Sequence, residues 1–254
     1  MQELIRVEDV EKYYGRGKQV TKAVNRISFE IRKGEFTGIM GASGSGKTTL
    51  INLMATIDKV TSGHIFYNGK DITGMKEDEL ADFRKENLGF VFQDFNLLDT
   101  LTIKENIELA MSLCEKSKKK IENQAVKMMK ALGIDQIGDK FPYEVSGGQK
   151  QRCACARALI NHPQIIFADE PTGALDSRSA RMLLQTFEDM NRKLGATILM
   201  VTHDTFSASY CERILFLKDG QIFNELRKGD KDRKTFLNQI LDVLSLTGGD
   251  PDAQ

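Results

Sequence analysis

The stretch Gly41-Ala42-Ser43-Gly44-Ser45-Gly46-Lys47-Thr48 constrains this chain more than any other. It fits the pattern G-x-x-x-x-G-K-[ST] and lies between a strand-like run, Phe36–Met40, and a helix-like run from Lys47 to about Ile57. Glycines allow a tight loop whose backbone N–H groups converge on phosphate oxygens. The helix N-terminus adds unpaired donors and partial positive charge. Lys47 supplies a point charge for the outer phosphates, and the Thr48 hydroxyl is a hard ligand for Mg²⁺. By accident the pattern turns up in roughly one chain in a hundred of this length, and the strand–loop–helix setting makes accident rarer still. A bound nucleotide is the expectation.

Such a loop needs an acidic partner to hold the metal. Ile165-Ile166-Phe167-Ala168 reads as a buried strand that ends in Asp169-Glu170-Pro171. Open α/β sheets place ligands at the C-terminal ends of their strands. Asp169 is therefore expected to order Mg²⁺ through water, and Glu170 is free to polarise an attacking water as general base. The plainer alternative is a solvated strand end. Another apolar strand, Ile198-Leu199-Met200-Val201, delivers His203 to the same edge, where a histidine can donate a hydrogen bond to a γ-phosphate. His64 and His162 lack that setting and are read as structural.

Val145-Ser146-Gly147-Gly148-Gln149-Lys150-Gln151-Arg152 opens a helix. Ser146 suits an N-cap, and the glycine pair leaves the first amides unshielded, which makes a second anion site. One γ-phosphate does not need two helix N-termini from one chain. The economical reading puts each nucleotide between the P-loop of one molecule and Ser146–Gln149 of another; the alternative is a capped helix and nothing more.

Strands and helices alternate along the rest of the chain, as in an α/β layer fold. Strands are expected at Leu4–Val10, Ala23–Ile31, Phe36–Met40, Gly63–Tyr67 and Leu88–Phe92, with a charged helix at Glu77–Lys85. Between Thr102 and Ile160 only helices are expected, at Ile103–Leu113, Ile121–Leu132 and Gln149–Ile160. Alternation resumes with Ile165–Ala168, Ser179–Lys193, Thr197–Val201, Arg213–Leu217 and Gln221–Leu226. One α/β core thus carries an inserted helical lobe, about 95–162. A last helix, Lys234–Leu246, has an apolar stripe of Phe236, Leu237, Ile240, Leu241, Val243 and Leu244. It reads as a closing helix docked on the domain, with a partner- or membrane-facing helix as the alternative.

The 254 residues suit one large domain or two small ones. Lys plus Arg is 36 and Asp plus Glu is 36, a balance that argues against a nucleic-acid sleeve or a polybasic membrane anchor. The basic run Lys116-Ser117-Lys118-Lys119-Lys120 reads as a solvated helix face. No more than four apolar residues occur in a row, far below the about 20 that a membrane span needs. The N-terminus has no basic-then-apolar signal layout, so a cytosolic chain is expected. The scattered cysteines, Cys114, Cys153, Cys155 and Cys211, are read as reduced thiols. Cys153 and Cys155 fall on nearly opposite faces of a helix, so a shared metal is not expected.

Taken in order, these segments resemble the ATP-binding subunits of ABC transporters over nearly the whole chain. Gly41–Thr48 is similar to their Walker A loop, and Ile165–Asp169 to Walker B, with Glu170 as catalytic glutamate. Gln93, in Phe92-Gln93-Asp94, is similar to the Q-loop glutamine, which implies contact with Mg²⁺, the attacking water and the membrane partner. Ser146, Gly147, Gly148 and Gln149 resemble the signature motif, with Val145 in place of the commoner leucine. Ala174-Leu175-Asp176 resembles the D-loop and His203 the switch histidine. Tyr14 fits the aromatic that stacks on adenine, with Tyr13 as competitor. The resemblance implies a P-loop NTPase (RecA-like) α/β core with an antiparallel β subdomain and an inserted α-helical subdomain. It implies an ATPase whose catalytic residues are Glu170, His203, Lys47 and Gln93. ATP would be bound by Tyr14, by Gly41 through Thr48, and by Thr49, and in trans by Ser146–Gln149 and Asp176. Mg²⁺ would be held by Thr48, Gln93 and Asp169. The implied partners are a second copy of the chain, head to tail, and a separate integral-membrane permease at the cytoplasmic face of the cell membrane.

Within that family, Phe92–Thr102 and the tail from Arg233-Lys234-Thr235-Phe236 through Gly248-Gly249-Asp250 are similar to the bacitracin-resistance (BceA-like) type. Lipoprotein-releasing, macrolide-export and cell-division ATPases are its relatives. That type implies a permease with a large extracellular domain, defence of lipid-linked cell-wall precursors against peptide antibiotics, and signalling through a histidine kinase. The alternative is a regulatory ATPase of the cell-division or lipoprotein-release type. DNA-repair and chromosome-organising ATPases share the signature motif but carry long heptad segments between their motifs, which this chain lacks. No nucleic-acid partner is expected.

Overall fold

Ile5, Val7 and Val10 turn inward along β1 (Glu3–Arg16), and that buried face organises the first sheet. The structure is a computed structural model that describes residues 2–16, 19–92, 94–115, 117–173 and 175–246. It divides into two units, one built from the chain up to Met75 and again from Thr197, the other from Lys76–Ala196. In the first unit β1 pairs antiparallel with β2 (Gln19–Arg32) and with β4 (Ser62–Tyr67), and β5 (Lys70–Asp71) closes the edge, giving the order β2-β1-β4-β5. Both long strands exceed the expected Leu4–Val10 and Ala23–Ile31. The reason lies in bulges. Val7 faces Phe29 and Val10 faces Ile27, so β1 gains a residue near Asp9 (φ 46°); β2 gains one near Arg26 (φ 52°). Each bulge resets the inward phase and adds twist, which hides the alternation from a period-2 reading while the ribbon continues to Tyr14, opposite Thr21.

The same unit holds a second group of strands. β3 (Phe36–Met40) is buried at all five residues and lies parallel between β8 (Ile198–Thr202) and β9 (Arg213–Lys218). β10 (Gln221–Arg227) folds back antiparallel on β9 through Asp219-Gly220, both with positive φ (50° and 75°), the backbone of a tight primed hairpin turn. α1 (Lys47–Met54) stops three residues short of the expected end. Thr56 takes a left-handed φ of 57°, and the N–H groups of Ile57 and Asp58 turn back to the Asn52 carbonyl. After the short α7 (Thr205–Ala208), α8 (Arg233–Ser245) starts at its cap, Asp232, whose carboxylate accepts from Thr235 N. Phe236, Ile240 and Val243 are buried at spacings of four and three, each side chain contributing about 1.5–3 kcal/mol. Arg233 lies 3.6 Å over the Tyr210 ring. α8 is thus a docked closing helix.

Arg213 is a buried cation of this unit. It donates to the Glu30 carbonyl (2.7 Å) and to Glu225 Oε2 (2.7 Å), and lies 3.5 Å from Glu35 Oε1. Glu35 Oε2 accepts from Arg32 N, so the buried carboxylate is satisfied from two sides.

In the second unit β6 (Leu88–Phe92) runs parallel to β7 (Ile165–Asp169), Phe92 opposite Asp169. α2 (Glu77–Asn87) precedes β6; α3 (Ile103–Ser112), α4 (Lys118–Ala131) and α5 (Gly147–Leu159) lie between the two strands in sequence, with single 3₁₀ turns at Asp135–Ile137 and Pro142–Glu144, and α6 (Ser177–Leu194) follows β7. Ile103, Ile107, Met128, Met129, Cys153 and Ala154 fill the space among α3, α4 and α5. A Cβ on Gly89 would lie 2.5 Å from the Ala158 carbonyl, so α5 rests directly on the backbone of β6. Cys153 and Cys155 are both buried, and burial pushes each thiol up to about 12. His64 Nδ1 lies 2.8 Å from Asp71, and His162 Nε2 lies 2.8 Å from Gln124. Among the described residues no helix is long and apolar enough to cross a membrane.

Removing Arg213 takes the nearest cation from the buried Glu35 carboxylate and leaves it the Arg32 amide and the more distant Arg227 guanidinium. Arg213→Ala is therefore expected to lower the free energy of unfolding by about 3–5 kcal/mol, whereas Glu225→Ala, at the more exposed end, should cost about 1 kcal/mol or less. Urea denaturation of both variants checks the contrast.

Candidate nucleotide site

The loop Gly41–Gly46 leaves the C-terminal end of β3 and enters α1. Two of its glycines are demanded by backbone. A Cβ on Gly41 would lie 2.2 Å from the Leu217 carbonyl; one on Gly46, which has φ 102°, would lie 2.1 Å from the Ala23 carbonyl. The loop is thus pressed between β2 and the end of β9. The hairpin turn braces it further: Gly220 N donates to the Ser45 carbonyl (3.1 Å), and Asn25 N donates to the Gly220 carbonyl (2.8 Å). Ala42, Ser43, Gly44 and Thr48 are exposed, Thr49 is half-buried and Lys47 is buried. Lys47 Nζ donates to the carbonyls of Gly41 (2.8 Å) and Ala42 (2.9 Å), so the ammonium is curled into the loop.

Met40 is in register with Thr202 across β3 and β8. The next residues, Gly41 and His203, therefore leave the same sheet edge side by side, and His203 is exposed there. Behind it Asp204 caps α7, accepting from Phe206 N and Ser207 N.

The structure separates the two tyrosines. Tyr13 is half-buried with Lys22 Nζ 5.1 Å from its ring centroid. Tyr14 is 43% exposed, and its hydroxyl donates to Asp58 Oδ2 (2.7 Å) while the Thr49 side chain of α1 also meets it. Lys12 Nζ donates to Asp58 Oδ1 (2.6 Å) and lies 4.9 Å from the Tyr14 ring centroid. Burial pushes the Tyr14 hydroxyl above the usual tyrosine range, and the Asp58 carboxylate adds to that push. Burial alone would raise Asp58; hydrogen bonds from Lys12, Tyr14 and Lys59 N outweigh it and hold the carboxyl low. Sequence reasoning missed Lys12 and Asp58. Forty-odd residues separate Asp58 from its two partners, and no motif links them.

In the second unit Asp169 ends β7, half-buried, opposite Phe92. Gln93, expected next along that edge, lies outside the described residues, as does Ala174. Glu170 has φ 45°, a left-handed conformation that costs a residue with a side chain about 1–3 kcal/mol and tends to sit at functional positions. Its carbonyl accepts from Gly173 N (3.1 Å), closing the turn after β7. Asp176 caps α6, its carboxylate accepting from Arg178 N, Ser179 N and the Ser179 hydroxyl. The Ser179 hydroxyl and amide hold Asp176 below the usual carboxylate range.

Ser146 caps α5 in a reciprocal box: its hydroxyl accepts from Gln149 N (3.3 Å), and Gln149 Oε1 accepts from Ser146 N (2.9 Å). The first amides of any helix have no preceding turn to pair with; here they belong to Gly147 and Gly148. Neither glycine has a positive φ, and a Cβ on either would meet nothing within 4 Å among the described residues. Among the described residues, nothing in the packing calls for glycine at these positions.

The ABC transporter family model matches residues 24–173. The bacitracin export ATP-binding protein BceA of Halalkalibacterium halodurans is 50% identical over 246 residues, 97% of each chain. The ABC transporter ATP-binding protein YxdL of Bacillus subtilis is 49% identical over 98% of this chain and 96% of its own. Among solved structures, the dimeric post-hydrolysis state of the ATP-binding cassette MJ0796 of Methanocaldococcus jannaschii, bound to ADP and Pi, superposes with a TM-score of 0.79 at 37% identity, covering 88% of this chain and 98% of that one. P-loop, antiparallel β subdomain and mixed α/β core together make an ABC ATPase fold, and the chain belongs to the ABC transporter family as one of its ATP-binding proteins.

Proposed function

We propose that this chain is the ATP-hydrolysing subunit of a bacitracin-export-type transporter, working as a head-to-tail pair on a separate permease. The observation that carries the reading is the P-loop, whose buried Lys47 ammonium is held by main-chain oxygens of the loop itself. A triphosphate would take over those contacts with its own oxygens, and the loop amides and the α1 N-terminus would share its charge. His203, on the same sheet edge, would donate to the γ-phosphate. Glu170 would align and deprotonate the attacking water.

Thr48, Asp169 and Gln93 would each offer a side-chain oxygen, a small hard-oxygen set that suits Mg²⁺ because that ion keeps several of its waters. When bound, Mg²⁺ would neutralise charge on the β- and γ-phosphates. The exposed start of α5 supports the paired arrangement, since glycines that nothing in the chain requires leave room for a phosphate brought by another copy. Asp176 would meet the partner from its place at the start of α6.

A groove of about 460 Å³ in the second unit supports a docked permease. Leu88, Phe90, Phe92 and Leu113 line it with Arg84 and Arg157, and Leu113 is 65% exposed. Bound there, the subunit would sit at the cytoplasmic face of the membrane, and a histidine kinase reached through the permease belongs to the same reading.

Glu170→Gln is expected to retain ATP while hydrolysis falls by about 100-fold or more; a wild-type rate would remove the general-base assignment. Gly148→Ala separates helix stability from catalysis. Alanine favours the helix, so the melting temperature should not fall, yet the added methyl should cut hydrolysis by about tenfold or more by displacing the facing phosphate. Unchanged hydrolysis in that variant would speak for a simple capped helix. Deleting the gene should sensitise its host to lipid-II-directed peptides, and unchanged sensitivity to all of them would leave the motor without the resistance role.

A further inference from the structure

Tyr14 stands on an exposed two-stranded ribbon, where β1 and β2 pair beyond their last bulges. The residue is 43% exposed, and an aromatic free to rotate gives up much of its stacking energy to ordering. Three groups supply the missing restraint. Asp58 Oδ2 accepts a hydrogen bond from the Tyr14 hydroxyl at 2.7 Å. Lys12 Nζ grips Asp58 Oδ1 at 2.6 Å and the Lys59 carbonyl at 2.7 Å, and Lys59 N donates to Asp58 Oδ1 at 2.7 Å. The Lys12 ammonium also lies over one face of the ring, 4.9 Å from its centroid, so a base would stack on the other.

We propose that Asp58 is a positioning residue for nucleotide binding: clamped by Lys12, it holds the Tyr14 hydroxyl and so fixes the ring on which adenine stacks. The proposal rests on the assignment of Tyr14 as the stacking aromatic. Asp58 follows α1, and α1 begins at Lys47, so one helix braces the phosphate loop at its start and the base platform just past its end. Thr49, in the first turn of α1, meets the Tyr14 hydroxyl as well and ties the platform to the phosphate end of the site. An ion pair with no further duty would leave nucleotide kinetics untouched.

The test compares Asp58→Ala, Tyr14→Phe, the double variant and Tyr14→Ala in the full chain. KM and kcat for ATP are measured, together with inhibition by tripolyphosphate, a probe that fills the P-loop without a base. Asp58→Ala should raise KM for ATP by about three- to tenfold with kcat and tripolyphosphate inhibition unchanged. Tyr14→Phe keeps the ring and loses only the hydroxyl, yet should raise KM as much, and the double variant should add nothing further. A wild-type KM in Tyr14→Phe, additive effects in the double variant, or weakened tripolyphosphate inhibition in Asp58→Ala each overturns the proposal; should Asp58→Ala fail to fold, Tyr14→Phe decides alone. Tyr14→Ala separates the two levels. If it raises KM while the other variants do not, the platform stands and the latch falls; if it leaves KM unchanged, the platform assignment falls and the latch with it.

Discussion

Backbone contact, more than any side chain, sets the nucleotide site. Gly41 and Gly46 press against the carbonyls of Leu217 and Ala23 so closely that a methyl group has no room at either position. The Asp219-Gly220 hairpin turn then locks the loop through Ser45. Two separate stretches of chain, around Ala23–Asn25 and Leu217–Gly220, must therefore be in place before the loop can adopt its shape. The result is a loop fixed by backbone contact at the start of α1, and the preorganisation that the proposed phosphate-binding role needs comes from those contacts.

Much of this was legible in the sequence because it is local. β3 and β6 run over the expected residues, since each is a short apolar run bounded by a glycine turn, a charged segment or a motif. The caps at Ser146 and Asp232 announce α5 and α8 within one or two residues of the expected starts. The shortfalls are non-local or rest on unusual backbone. Asp9 and Arg26 break the alternation of β1 and β2, and Thr56 ends α1 with a left-handed turn that threonine does not advertise. β5 is two residues long and offers no period to read. The buried Arg213 network joins residues from β2, β9 and β10, and the Tyr14 latch joins β1 to the segment after α1. Pairing of that kind exists only in the folded chain.

The proposed site residues fall into two sets with different logic. The P-loop, His203 and Tyr14 belong to one unit, and their arrangement follows from strand register and a braced ribbon. Asp169, Glu170, Ser146–Gln149 and Asp176 belong to the other, at strand and helix ends. Asp176 and Ser146 each serve as a helix cap as well as a proposed contact, so substitutions there mix stability with function. Gly147 and Gly148 do not, because neither is required by φ or by packing.

The central claim is that one nucleotide is enclosed by two copies of the chain. The molar mass of the purified Glu170→Gln protein, measured by light scattering with and without ATP, tests it most directly. The account predicts a mass near the 28.5 kDa of one chain without nucleotide and a doubling when ATP is added. A single-chain mass that persists with ATP demonstrably bound would contradict it.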